Sequence, residues 1–172
     1  MTAPRILALD LSLTATGVCF DGDTRLLKFP KLRGWERVAA ITEAIDDLAS
    51  VSDLVVIEGY SFGSRGATLF QIAELGGIVR CDLVREHTPY VDVPPSTLKR
   101  FATGRGNATK IDMVVAARER FGLCGTTDDN ECDAFLLWAL ARQWYGLPIA
   151  SIPKTHLQGL EKVSWPELRV RA

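Results

Sequence analysis

The chain has 172 residues, of which 47% are hydrophobic and 24% charged, with 20 basic against 21 acidic side chains. This length and composition are typical of one globular domain and exclude intrinsically disordered chains, collagen-like chains and two-lobed enzymes. No apolar run approaches the roughly 20 residues that span a bilayer, and Asp10 interrupts the short apolar stretch near the start, so we expect neither a membrane partner nor a signal peptide. The four cysteines lack metal-ligand spacing, which predicts reduced thiols in a cytoplasmic protein.

Alternating and continuous apolar runs predict five strands, at residues 5–10, 18–20, 26–29, 54–57 and 90–93. The turn at Asp21-Gly22-Asp23 makes the first three strands an antiparallel meander. The run at 54–57 is apolar throughout, which indicates a strand that is buried on both faces of the sheet.

Apolar spacings of three and four predict helices between and after these strands, at residues 35–48, 69–83, 96–101, 109–121 and 130–145. Ser96 is the expected N-cap of the short third helix. The pair Gly76-Gly77 weakens the second helix and indicates a close approach there, for instance by another helix. The element order predicts an α/β domain over residues 1–150, with helices on both faces of the sheet, followed by a weakly ordered tail at 151–172.

Two of the apolar strands end in a carboxylate: Asp10 closes the first strand and Glu58 closes the fourth. A charged side chain at the end of an apolar strand is costly to desolvate unless a partner of opposite charge lies beside it. No basic residue adjoins either acid in the sequence. If the two strands are neighbours, both acids project into one crevice and a cation can pair with them. The alternative is that each acid lies at a solvated strand end.

A third acidic group, Asp128-Asp129-Asn130-Glu131-Cys132-Asp133, opens the last helix. Capping and the helix dipole account for acids in the first turn. Asp133 lies beyond the cap, at the border of the apolar face, and Asp129 and Asn130 share its side of the helix. Three carboxylates without Cys or His suit a hard cation such as Mg²⁺ or Mn²⁺.

Residues 94–110 hold four basic side chains and no acid: Lys99, Arg100, Arg105 and Lys110. Lys110 begins a helix directly after a Gly-rich loop, and lysines, loop N–H groups and helix N-termini all bind phosphate. A divalent metal beside such lysines indicates phosphoryl-transfer chemistry. From charge alone, ordinary solvated surface remains the alternative for both the basic and the acidic stretch.

Four motifs follow one another between residues 5 and 145: DLSLTATG at 10–17, VVIE at 55–58, TGRGNATK at 103–110 and DNECDA at 129–134. Together they resemble the motifs of RuvC-type Holliday junction resolvases, and the bacteriophage versions most. The resemblance implies a ribonuclease H-like fold: a five-stranded mixed sheet whose first three strands are antiparallel, flanked by helices. It also implies a homodimer that cuts four-way DNA junctions with Mg²⁺ or Mn²⁺.

By matching motifs, Asp10, Glu58 and Asp133 correspond to the family's metal-binding catalytic carboxylates, and Lys99 and Lys110 to its lysines at the scissile backbone. We expect Asp10 to bridge two ions, one activating a water and the other stabilising the leaving 3′ oxygen, so that paired nicks carry 5′-phosphate ends. Lys110 would stabilise charge on the phosphate.

The sequence departs from the family pattern at two places. The family's fourth metal ligand falls on Asn130, where Asp or His is usual, so either Asn130 binds weakly or Asp129 substitutes for it. The aromatic residue that works on junction bases falls on Ser61, flanked by Tyr60 and Phe62. We expect these two aromatics to contact DNA together with the four basic residues of 94–110, and the second helix to form the dimer interface.

Three other functions remain open. A broader nuclease of the same fold would cut flaps, forks or replication intermediates, and a binding protein would hold branched DNA without cutting it. The spacing of Asp10 and Thr16-Gly17 also resembles the phosphate loop of sugar-kinase and actin-like ATPases. Those enzymes need a second lobe, which 172 residues cannot supply.

Overall fold

The computed structural model describes residues 3–60 and 67–168. Within these residues one sheet is formed by β1 (Ile6–Asp10), β2 (Thr16–Phe20), β3 (Asp23–Leu27), β4 (Leu54–Glu58) and β5 (Tyr90–Val93). The strand order is β3-β2-β1-β4-β5; the first three strands are antiparallel, while β4 runs parallel to β1 and to β5. The predicted five-stranded mixed sheet and its meander are confirmed.

The third strand lies earlier than the predicted 26–29. Asp21 and Gly22 both have positive φ, at 49° and 101°, and form a two-residue turn. Pairing therefore resumes at once, with Asp23 opposite Phe20, because such turns match the twist of a hairpin.

The helices of the described residues are α1 (Gly34–Ala49), α2 (Ala67–Arg85), α3 (Pro95–Thr103), α4 (Lys110–Val115), a π-helical turn (Ala116–Arg120) and α5 (Asp129–Trp144). The prediction that Ser96 caps α3 is wrong. Pro94 is the N-cap and Pro95 the first helical residue, where its fixed φ suits the helix and its missing N–H has no intrahelical partner to lose. Among residues 3–60 and 67–168, no helix is both long and apolar enough to cross a membrane.

Each central strand is buried on both faces. Alternate residues such as Ile6 and Ala8 pack with α3, α4 and α5, while Leu7 and Leu9 pack with α1 and α2. The sheet therefore separates two apolar cores, and its two parallel inner strands, β1 and β4, end at the same edge.

Gly76 does make a close approach, but to a side chain and not to another helix. A Cβ at this position would overlap the hydroxyl of Tyr60 and lie 2.6 Å from Nη1 of Arg80, while a Cβ at Gly77 would meet nothing.

The segment after residue 150 differs from the weakly ordered tail expected there. It forms two 3₁₀ turns, Lys154–Leu157 and Leu160–Lys162, and buries Leu160 and Val163 against the core. Trp165 stacks on Trp144 with ring centroids 5.4 Å apart. Apolar side chains spaced among polar ones in 151–168 were the signal for this packing.

Candidate active site

Three carboxylates meet at the edge where β1 and β4 end. Asp10 is the last residue of β1, and Glu58 is the last residue of the parallel β4, one position after the pair Leu9–Ile57. Asp133, on the first turns of α5, completes the group. One oxygen from each carboxylate can be chosen so that all three lie within 4.8 Å of one another.

The carboxylates repel one another in a partly desolvated site. Burial and then the charges of Glu58 and Asp133 raise the pKa of Asp10 well above its ordinary value, and a hydrogen bond joins Asp10 to Glu58. Burial also raises the pKa of Glu58, an effect that Asp10, Lys99 and Lys110 oppose. For Asp133, burial, followed by Glu58 and Asp129, raises the pKa to about 7.

These three residues fit a divalent cation. Among the described residues, Asp133 Oδ1 is buried and has no hydrogen-bond partner, although buried polar atoms are normally paired. An all-oxygen set without Cys or His suits Mg²⁺ or Mn²⁺. A cation at this point would satisfy the unpaired oxygen and offset both the burial of the three carboxylates and the repulsion felt by Asp10 and Asp133.

The turn between β1 and β2 holds α5 close to the carboxylates. A Cβ on Gly17 would overlap the carbonyl oxygen of Asn130, so only glycine allows the start of α5 to lie directly on β2. Asn130 Nδ2 donates a hydrogen bond of 2.8 Å to the carbonyl oxygen of Ala15. Buried Thr16 fixes the turn itself, since its hydroxyl donates to the carbonyl oxygen of Ser12 at 2.6 Å. This role of Gly17 was not predicted from the sequence. A glycine at the start of a strand was the feature that could have indicated a close approach by another element.

The two residues considered for a fourth ligand have other partners. The Asn130 amide nitrogen holds Ala15, as described, and the Asp129 carboxylate forms an ion pair with Lys110. Asp129 is outside the three-acid group, yet close enough to raise the pKa of Asp10 and Asp133. Asp128 is the N-cap of α5, and its carboxylate accepts from the Asn130 N–H at 3.0 Å.

Two of the four predicted basic residues lie beside the carboxylates. The charges of Lys99 and Lys110 lower the pKa of both Glu58 and Asp133. A capping box between Thr109 and Asp112 begins α4 and presents Lys110, whose side chain is 80% exposed. This pair therefore offers positive charge at the mouth of the site.

The other predicted DNA contacts are placed differently. Arg105 lies 3.4 Å from the Asp112 carboxylate. The guanidinium of Arg100 lies against Gly106, a residue of the Gly-rich loop at 103–107, which we call the basic loop. Tyr60 turns towards α2, where its hydroxyl donates to the carbonyl oxygen of Ala73. Ser61 and Phe62 lie outside the described residues.

The chain is similar in sequence to a crossover junction endodeoxyribonuclease. The crossover junction endodeoxyribonuclease RuvC of Gloeobacter violaceus is 32% identical over 117 residues, which are 67% of this chain and 67% of that protein. No protein-family model matches the chain.

Solved structures share the fold. The RuvC of T. thermophilus in complex with a Holliday junction substrate has a TM-score of 0.66 at 19% identity, covering 84% of this chain and 96% of that one. Another Thermus thermophilus RuvC structure has a TM-score of 0.62 at 18% identity, covering 83% and 97%. The predicted ribonuclease H-like fold is thus confirmed, while the bacteriophage likeness stays a prediction.

Proposed function

Because the chain belongs to the RuvC family of crossover junction endodeoxyribonucleases, we propose that it resolves four-way DNA junctions by metal-dependent, paired and symmetric nicks that leave 5′-phosphate ends. The observation that carries the proposal is the group formed by Asp10, Glu58 and Asp133, with its unpaired buried oxygen. Intact carboxylates argue against a protein that binds branched DNA without cutting it.

The proposed cofactor is Mg²⁺ or Mn²⁺, two ions per site. Asp10, Glu58 and Asp133 would hold them, with Asp129 or Asn130 as a further ligand. Bound ions would supply the positive charge that activates a water and stabilises the leaving 3′ oxygen in phosphodiester hydrolysis.

The basic residues would bind and orient the DNA strand. Lys110 reaches the mouth of the site on an exposed side chain, and Lys99 approaches the same acids from α3. Both would contact the scissile phosphate, where Lys110 balances developing charge. Arg100, whose guanidinium lies against Gly106, and Arg105, which pairs with Asp112, would contact flanking phosphates.

The proposed molecule is a homodimer, because symmetric nicks need two sites related by a twofold axis. The support is an apolar stripe on α2, opposite its buried face, made of exposed side chains and one glycine: Phe70, Ala73, Gly77, Cys81 and Val84. Phe70 is 72% exposed and Val84 59% exposed. Large exposed apolar side chains in one stripe are typical of a protein interface.

One observation favours the broader nuclease of flaps, forks or replication intermediates as a second candidate. The ring of Tyr60 lies under the guanidinium of Arg80, 4.9 Å from its carbon, and its hydroxyl is hydrogen-bonded. Tyr60 is therefore held away from stacking on junction bases, which weakens one device for junction selectivity.

We place the protein in a reducing compartment, the cytoplasm, on the support of its four free cysteines. Cys19 and Cys132 are buried, whereas Cys81 and Cys124 are exposed.

The test is cutting of an end-labelled four-way junction, a flap and a linear duplex in Mg²⁺ or Mn²⁺, with Asp10→Asn beside the wild type. Paired symmetric nicks confined to the junction, lost in Asp10→Asn with binding retained, are the expected result. Cutting of the flap as well would favour the broader nuclease. Binding without cutting in either metal would overturn the catalytic proposal.

A further inference from the structure

A cavity of about 560 Å³ adjoins the carboxylate group. One wall begins at Gly59, the residue directly after Glu58. The Gly59 N–H donates a hydrogen bond of 2.8 Å to the carbonyl oxygen of Val93. Lys99 lines the cavity and also acts electrostatically on Glu58 and Asp133. The cavity and the carboxylates therefore lie at the same edge of the sheet and share a cationic side chain.

An ordered polar network forms a second wall. Arg80 Nε donates to Asp92 Oδ1 at 3.0 Å, and its Nη1 donates to the carbonyl oxygen of Gly76 at 2.7 Å and to the Tyr60 hydroxyl at 3.2 Å. The Tyr60 hydroxyl donates onward to the carbonyl oxygen of Ala73 at 3.2 Å. The hydroxyl of this tyrosine thus both donates and accepts a hydrogen bond, and most N–H groups of the arginine are occupied.

The network explains why a glycine lies within α2. Any side chain at Gly76 would overlap the Tyr60 hydroxyl and Arg80, so the helix accepts a residue that weakens it in order to seat the network. The network contributes no apolar side chain to either core. The ion pair with Arg80 holds the Asp92 carboxylate in one position. The side chain of Asp92 is nevertheless 45% exposed, and it lines the cavity.

The other described residues that line the cavity are two prolines, a glycine and a serine. Pro94, Pro95 and Gly106 face the space, together with the second helical residue of α3, Ser96. Apolar faces with a few fixed polar groups at one side suit a planar ligand that has a polar edge. A nucleobase has this shape and chemistry.

We propose that this cavity receives a nucleobase of the bound DNA, next to the phosphate held at the carboxylate group; the inference rests on the proposed nuclease function. The base lies between the apolar walls, and its edge reaches the Asp92 carboxylate. A carboxylate accepts hydrogen bonds from exocyclic amino groups. The cavity therefore favours adenine, cytosine or guanine over thymine at this nucleotide.

The first test makes two changes: a substitution in the protein fills the cavity, and an abasic nucleotide in the DNA removes the base. Four-way junctions are prepared with a normal or an abasic nucleotide beside the scissile phosphate. We expect the abasic nucleotide to slow cutting by wild type about tenfold, the scale of one stacked base. Ser96→Phe, an exposed position on α3, should cut the normal junction equally slowly and show no further loss on the abasic one. Ser50→Phe, at the exposed end of α1, is the matched control and should behave as wild type.

The second test does not depend on cutting. A junction carrying 2-aminopurine at the same nucleotide is titrated with wild type in Ca²⁺, and a junction with the probe within an arm serves as the reference. Entry into the cavity should change the fluorescence at least about twofold for the branch probe, because the base leaves its stack. Ser96→Phe should abolish this change without abolishing binding.

The outcomes separate the two proposals. Failure to cut any unmodified junction would overturn the nuclease function, whereas equal cutting of normal and abasic junctions would overturn only the base cavity. An identical fluorescence change in wild type and Ser96→Phe would also overturn it. The contact between the base edge and the Asp92 carboxylate is tested by cutting rates with each of the four bases at this nucleotide, for wild type and Asp92→Asn. Equal cutting rates for all four bases in wild type would overturn the role of Asp92.

Discussion

The Lys110 ammonium forms an ion pair with the Asp129 carboxylate across the gap between the first turns of α4 and α5. A hydrogen bond to Asp129 raises the pKa of Lys110, and the same bond lowers the pKa of Asp129. Asp129 is thus already charged and paired with a cation, whereas Asp133 has an oxygen that finds no partner within residues 3–60 and 67–168. The two aspartates on one helix face therefore have different roles.

The first prediction concerns these two aspartates. We expect Asp133→Asn to slow junction cutting by about 100-fold or more, because it removes a ligand charge at the reacting phosphate. Asp129→Asn should slow it by less than about tenfold, because it mainly releases Lys110. Single-turnover cutting rates in Mg²⁺ measure both. Equal losses would instead identify Asp129 as a metal ligand.

The second prediction concerns pH and metal. The folded pKa of Asp133, about 7, exceeds its ordinary value of 3.8, and the pKa of Asp10 and Glu58 is raised as well. For Asp133 the folded chain then binds more protons than the unfolded chain between these two values, so its contribution to stability is full below about pH 4 and is lost as pH rises to about 7. The raised pKa values of Asp10 and Glu58 change the stability in the same direction. Without metal, the protein should therefore unfold at a lower temperature at pH 8 than at pH 5.

Asp133→Asn serves as the control for this effect. In a chelator at pH 8 it should melt at least about 5 °C above wild type, since each kcal/mol moves the melting temperature by roughly 2–4 °C in a chain of this size. Added Mg²⁺ or Mn²⁺ should raise the melting temperature of wild type more than that of the variant. Thermal unfolding followed by circular dichroism tests this; a variant less stable than wild type at pH 8 would contradict it.

The third prediction concerns the contact between Gly17 and Asn130. Gly17→Ala should destabilise the fold by about 1–3 kcal/mol, because the new methyl group forces α5 away from β2. It should also reduce cutting, since α5 carries Asp133. Ala39→Ser, at an exposed position of α1 outside both apolar cores, is the control, and its free energy of unfolding should stay within about 1 kcal/mol of wild type. Urea unfolding of both variants makes the comparison, and equal effects would show that the contact does not constrain α5.

The fourth prediction concerns buried His156 on the C-terminal segment. Its Nδ1 lies 2.9 Å from the carbonyl oxygen of Phe101, and its ring covers Gly104 beside the basic loop. His156→Ala should lower the free energy of unfolding by about 1–3 kcal/mol through the lost hydrogen bond and the space left behind. Exposed Lys154→Ala should have no such effect. Urea unfolding that leaves His156→Ala unchanged would show that the segment does not brace α3.

The fifth prediction concerns the apolar stripe on α2. Phe70→Glu should shift the protein from dimer to monomer at micromolar concentration, because a buried unpaired charge is costly in an apolar interface. Trp35→Glu, at an exposed position of α1, should not change the mass. Sedimentation equilibrium reports the mass, and a dimer that persists in Phe70→Glu would exclude this interface.

Local patterns in the sequence were sufficient to predict the sheet and to select the three acids that the structure brings together. Alternation and the Asp-Gly turn predicted the meander, and carboxylates at the ends of apolar strands predicted that Asp10 and Glu58 meet. These inferences hold because strand periodicity, turn conformation and the burial of charge act over a few residues.

Only the tertiary structure decided which neighbours each side chain has. Gly17 and Asn130 meet across more than a hundred residues, Gly76 seats Tyr60 and Arg80, and Lys110 pairs with Asp129. Such contacts depend on how helices pack against the finished sheet, and close packing is a property of the whole fold that no local pattern carries.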